Sequence, residues 1–172
     1  LQRPHERSAG EYRARWKNRH RIMTVVTLRD ITRENWREAL QLSVRPEQQR
    51  FVADYAPIVL IGLAKAYVRP LGLVWMPYAI YAGHEMVGFL ELAMDRSTSD
   101  QYWLYHFFID QRYQGQGIGK KALAAFIEDV ERSYPQCRCI NLNVQDDNIA
   151  AQRLYTSAGF VRTKEESYGE PL

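Results

Sequence analysis

Apolar residues along the 172-residue chain fall into short blocks separated by turn formers, and the period of each block predicts its element. Val25, Val26 and Leu28 predict a first strand that starts near Met23 and ends in polar Arg29-Asp30. Thr32 is placed to cap a helix reaching Leu42, with Trp36, Ala39 and Leu40 on its buried side. Pro46 suits the first turn of a second helical piece, and a third is expected from Ile58 to Tyr67. Leu73 to Ala82, Glu85 to Met94 and Gln101 to Ile109 read as three strands. Gly83 supplies the first hairpin turn and Asp95 to Asp100 the second loop.

The second half switches period. Ile118, Ala122, Phe126 and Val130 recur every fourth residue, and Leu123 and Ile127 widen the same face, so a helix is expected up to a break at Pro135. Cys139 to Val144 reads as a short strand, and Asn148 to Ala158 as a helix closed by Gly159. Phe160-Val161-Arg162 opens a last strand. Strands and helices mixed in this order place the chain in the α/β (α+β) class.

The stretch Gln111 to Lys121, between the third hairpin strand and the long helix, carries Gly115, Gly117 and Gly119. Glycine permits positive φ and a close approach to the main chain. The first amides of a helix have no internal partners and favour an anion, so the turn reads as a phosphate cradle. A dinucleotide fingerprint would need glycine three residues after Gly117, where Lys120 stands. A Walker loop ending at Gly119-Lys120 would need glycine at 114 and Ser or Thr at 121, where the chain has Gln114 and Lys121.

The surviving pattern, Gln114-Gly115-Gln116-Gly117-Ile118-Gly119, resembles the acetyl-coenzyme A pyrophosphate loop of the GNAT-type N-acetyltransferases. A second segment does so independently: Asn148-Ile-Ala-Ala-Gln-Arg-Leu-Tyr155 followed by Gly159-Phe160 is similar to that family's Asn-x-x-Ala-x-x-Leu-Tyr…Gly-Phe stretch. Within the family, Val68-Arg-Pro-Leu-Gly-Leu73, Met86-Val-Gly-Phe89 and Phe107 to Gly115 look like the bacterial spermine/spermidine N-acetyltransferases. The resemblance implies one GNAT domain over residues 23–172, with a mixed central sheet, mainly antiparallel in its first half, flanked by helices. It also leads one to expect a further strand after Gly169-Glu-Pro-Leu172.

The implied activity is transfer of an acetyl group from acetyl-CoA to a primary amine, most closely a polyamine, without a metal. The cofactor contacts it implies are the turn from Gln114 through Gly115, Gln116, Gly117, Ile118 and Gly119 to Lys120, together with Asn148 and Tyr155. An alkylammonium with a pKa of about 10.4 must lose a proton before it attacks, and the departing thiolate must gain one. The main-chain N–H groups at Phe108 and Ile109 are the expected donors to the pantetheine arm and to the oxyanion. Tyr155 is the expected acid, and a packed core tyrosine is its structural alternative. His106 leads as base because imidazole titrates near 6.5, with Glu91 second. Some polyamine acetyltransferases carry acidic residues where this chain has Tyr105-His106, and a strand histidine can equally be a packing residue.

Composition narrows the partners. The formal charge of +3 is uneven: residues 1–22 hold seven Arg/Lys against two Glu, a net of +5, so the remainder is net −2. The basic stretch is expected to be an extension outside the catalytic domain, and a net-acidic remainder argues against a nucleic-acid surface. Glu85, Glu91, Asp95 and Asp100 are available to attract a polycation, or simply to solvate a surface. The chain has no run of eighteen apolar residues and no signal-peptide core, so a cytoplasmic location and no membrane partner are expected. Cys137 and Cys139, with no further ligand nearby, read as reduced thiols. Aminoglycosides, other small amines and protein N-termini remain alternative acceptors. A non-catalytic acetyl-CoA or polyamine sensor is the alternative of another class, and a homodimer is one of the assemblies left open.

Overall fold

The computed structural model describes residues 25–52, 56–98 and 100–163, so Met23, the basic stretch and residues 164–172 lie outside the described residues. The elements follow in the order β1 (Val26–Asp30), α1 (Trp36–Ala39), a 3-10 segment (Pro46–Phe51), α2 (Ile58–Val68), β2 (Val74–Ala82), β3 (Glu85–Met94), β4 (Gln101–Ile109), α3 (Ile118–Ser133), β5 (Cys139–Asn141) and α4 (Ile149–Ser157). Among the described residues the sheet runs β1-β2-β3-β4-β5. Its first four strands pair antiparallel, and β5 lies parallel to β4.

β3 is the central strand and is buried from Met86 to Ala93. That burial on both faces explains its almost unbroken apolar run, interrupted only by Glu91. On one face Leu90 and Leu92 pack with Leu123 and Phe126 of α3. On the other, Phe89 meets Val59 of α2 and Phe108 of β4. Pro77 falls in the part of β2 beyond the reach of β1, whose pairing begins at Tyr78, so its missing N–H breaks no bond on that edge.

Three elements are shorter than the pattern predicts. α1 covers only Trp36–Ala39, because the Asn35 side chain accepts from the Thr32 amide (2.7 Å) and donates to Asp30 O (2.9 Å), which fixes the preceding residues as turns. Trp36 is exposed rather than buried, whereas Leu42 and Val44 are both buried, a spacing of two that suits an extended chain. β5 stops at Asn141, and its pairing with β4 ends at Trp103. Phe160 to Arg162 form no strand; the Phe160 ring instead meets Tyr155 edge-on, with centroids 5.7 Å apart.

Candidate active site

Because β5 leaves β4 after Trp103, no strand among the described residues covers that edge of β4 from Leu104 to Ile109. A cleft of about 350 Å³ opens there, between the end of β4, the glycine turn and α4. Gly115 and Gly117 both sit at φ 76°, in the left-handed region, and Gly117 is the N-cap of α3. The first amide to bond back into the helix is that of Lys121, to Gly117 O at 3.4 Å. The preceding amides of the turn are left as donors at the positive end of a 16-residue helix.

Of the residues expected at the cofactor, Phe108, Ile109, Gln114, Gly115, Gly117, Ile118, Gly119, Asn148 and Tyr155 line this cleft. Gln116 and Lys120 lie on the same turn but are exposed and do not form its wall. The Gln114 side chain donates to Ile109 O and to Gln48 Oε1, both at 2.9 Å, and so ties the turn to β4 and to the 3-10 segment. Asn148 caps α4 by accepting from the Ala151 amide at 3.2 Å. Tyr155, two turns further on, presents its ring to Phe107 with centroids 6.4 Å apart. Burial pushes the Tyr155 hydroxyl up to about 12, so it holds its proton at neutral pH.

His106 and Glu91 do not line the cleft. Three residues of β4 span the step from Tyr105 to Phe108 that two residues of β3 span from Glu91 to Phe89, which makes a β-bulge. His106 occupies it at φ 52°, a conformation that a non-glycine residue rarely adopts. The bulge sets His106 beside Glu91, with Nε2 to Oε2 at 3.6 Å, on the face of the sheet covered by α2. Glu91 is fully buried, and among the described residues neither of its oxygens nor His106 Nε2 has a hydrogen-bond partner. Burial pushes the Glu91 carboxyl up to about 8, against an opposing pull from Lys65. Burial pushes the His106 imidazole down to about 3, and the Lys65 charge adds to that shift. Both groups are therefore neutral at pH 7.

Residues 25–160 match the acetyltransferase (GNAT) family. The chain belongs to the GNAT acetyltransferases. It is 31% identical over 135 residues to the spermine/spermidine N(1)-acetyltransferase of Bacillus subtilis (strain 168), which covers 78% of this chain and 87% of that protein. The N-alpha-acetyltransferase RimI of Mycobacterium tuberculosis is 30% identical over 82 residues, covering 47% and 49%. Among solved structures, the spermidine N-acetyltransferase from Vibrio cholerae, in complex with CoA and spermine, superposes with a TM-score of 0.62 at 19% identity, covering 81% of this chain and 82% of that one. This GNAT protein is thus an acetyl-CoA-dependent N-acetyltransferase, with acetyl-CoA as its co-substrate.

Several parts of the candidate site carry no signal in the sequence. Val44, Gln48 and Phe51 wall the cleft from the 3-10 segment and the chain before it, and Asn143 to Gln145 do so from the loop after β5. Their places follow from long-range ties such as Gln114 to Gln48 and Arg50 to Asp147 (2.6 Å), which no local pattern announces. Among the described residues no helix is long and apolar enough to cross a membrane.

Proposed function

We propose that this enzyme acetylates a primary alkylamine of the polyamine type, such as spermine or spermidine, in the cytoplasm. The observation that carries the reading is the pairing of two features across β4. The cleft with Tyr155 lies on one side, and the buried Glu91–His106 pair on the other, with the bulge at His106 between them. The relative from Bacillus subtilis supports the choice of acceptor.

Bound acetyl-CoA supplies an acetyl group activated as a thioester. The amides from Gly115 to Lys120 hold its pyrophosphate, and Asn148 fixes the start of α4 along its path. The Ile109 N–H turns to the outer edge of β4, since the next amide, Asp110, bonds Val87 O of β3, and it takes up the negative charge that develops on the carbonyl oxygen. The Phe108 N–H, two residues before Asp110, turns toward β3 and is not a donor there. Tyr155, protonated below about pH 12, gives its proton to the departing sulfur. Glu91 is the better base of the two candidates, because its value of about 8 lies much closer to an ammonium than the value of about 3 at His106. A protein N-terminus is the second reading, favoured by the relative from Mycobacterium tuberculosis.

The test is thiol release from acetyl-CoA with spermine, spermidine, an aminoglycoside and N-terminal peptides as acceptors. The reading expects the highest kcat/KM with a polyamine. A peptide preferred over every polyamine replaces it with the second reading, and thiol release independent of any amine overturns both.

A further inference from the structure

The α2-facing side of the sheet holds a group of side chains that the acetyl-CoA cleft does not use. Trp75 of β2 and Tyr105 of β4 stand with ring centroids 4.9 Å apart and planes tilted by 45°. The Lys65 ammonium lies over both faces, 4.7 Å from the Trp75 centroid and 5.4 Å from that of Tyr105. Tyr105 is followed by His106, whose ring centroid is 6.0 Å away, and is paired across the ladder with Glu91. Two aromatic faces, with a fully buried carboxyl behind them whose oxygens lack a hydrogen-bond partner among the described residues, suit an alkylammonium.

The backbone is shaped to keep this group together. α2 can lie against β3 only because residue 62 is glycine: a Cβ there would stand 2.7 Å from Phe89 Cζ and 3.3 Å from Glu91 Oε2. Lys65 is one turn further along α2, so its side chain reaches over Trp75 from the same face. Trp75 is itself held in place, its indole N–H donating to Pro70 O at 3.2 Å. The lysine is only half-buried, so its flexible stem can swing the ammonium out to solvent.

We propose that Trp75, Tyr105 and Glu91 form a recognition site for the alkylammonium group of the acceptor, and that Lys65 is its resident cation, displaced when the acceptor enters. The exchange conserves charge: one ammonium leaves as another arrives, so Glu91 is never left facing an empty cage. Lys65 thereby sets specificity. An amine must outcompete a tethered ammonium, which selects against weakly held monoamines and against neutral ligands of the same shape. The proposal deepens the reading of the acceptor as an alkylamine, but the site is tested by binding alone.

The probe is n-butylammonium, titrated at fixed ionic strength with n-butanol as the neutral isostere. The readout is the Trp75 indole N–H resonance, assigned by its loss in Trp75→Phe. Removing the tethered competitor in Lys65→Ala should tighten butylammonium by at least about tenfold, in the range expected for a partly desolvated cation–π site. Lys65→Arg, which keeps a cation over the rings, should show no such gain. Lys65→Met preserves the stem and replaces the alanine variant if that one fails to fold by circular dichroism. Equal affinity in wild type, the uncharged variant and Lys65→Arg overturns the proposal, and so does butanol binding as well as butylammonium. Coenzyme A affinity, measured on the same samples, reports the cleft. Its loss would count against the acetyltransferase reading and leave the cage standing.

Discussion

The Ser43 amide donates to Asp110 Oδ2 at 2.9 Å, which binds the chain leaving α1 to the residue that follows β4. The same carboxylate accepts from the Arg112 amide at 3.0 Å and from Arg112 Nε at 2.7 Å on Oδ1. In return Ser43 O accepts from the Gln111 amide at 2.9 Å. Asp110 is fully buried, so this knot fixes the wall that Val44 and Gln48 give to the cleft.

Asp110→Ala should therefore destabilise the fold by about 2–4 kcal/mol, since a bond to a charged acceptor is worth roughly 1.5–3 kcal/mol and the losses are not additive. Burial pushes the Asp110 carboxyl up, but the bonds from Arg112 and Ser43 outweigh it and hold the group below its ordinary value of 3.8. A depressed carboxylate stabilises the fold above its unfolded pKa and loses that contribution as pH falls through the folded value. Urea unfolding should separate wild type from variant at pH 7 and bring the two together in acid. A constant gap at both ends of the range would deny the charge its role.

Gly117→Val should weaken coenzyme A binding. No described residue stands within 4 Å of an added Cβ at Gly117, so space is not the obstacle. The obstacle is φ 76°, which a β-branched residue tolerates at a cost on the order of 1–3 kcal/mol, or avoids by moving the turn. Moving the turn re-aims the free amides at the start of α3. Calorimetric titration with coenzyme A, with circular dichroism as the folding control, decides it; wild-type affinity in a folded variant removes the turn from the site.

Glu91 makes a prediction in pH. With its carboxyl pushed up to about 8, the ionised form that accepts a proton is filled only as pH rises through that value. The logarithm of kcat/KM should climb to a bend near 8, distinct from the limb of a free amine at about 10.4. Glu91→Gln should abolish the bend and lower the rate. Stability changes in the opposite sense: the folded state binds this proton more tightly than the unfolded state, so ionising Glu91 costs stability from about 4.5 upward until about 8. The melting temperature of Glu91→Gln minus that of wild type should therefore increase over this interval. A bend retained in Glu91→Gln assigns the base elsewhere.

Most of the fold was legible because its strands and its long helix bury one consistent face. The three hairpin strands and α3 lie within a residue of the periods read from Leu73 to Ala82, Glu85 to Met94, Gln101 to Ile109 and Ile118 onward. The length of α1 was not, since Asn35 binds the backbone of Asp30 and Thr32, a competition that helical spacing does not register. The glycine turn and the start of α4 were legible as geometry, because positive φ and a helix start demand particular residues. The Lys65–Trp75–Tyr105 cage was not: its members come from α2, β2 and β4, and only the ladder register brings them together.

Tyr155→Phe separates chemistry from packing. The phenylalanine keeps the ring against Phe107 and Phe160 and removes only the hydroxyl. If that hydroxyl protonates the leaving sulfur, kcat at saturating amine should fall by roughly 10²–10⁴-fold, about 3–5 kcal/mol, with coenzyme A affinity close to wild type. A rise in the KM for acetyl-CoA at unchanged kcat would mean that the hydroxyl positions the ligand instead. A packing role predicts a lower melting temperature with both constants little changed. The burial that pushes the hydroxyl up to about 12 also sharpens the test, because a tyrosine acid that titrates this high should leave the wild-type kcat flat between pH 8 and 10 on its own account. A downward limb in that interval that persists in Tyr155→Phe belongs to another group. Full wild-type kcat in the folded variant ends the assignment of Tyr155 as the acid.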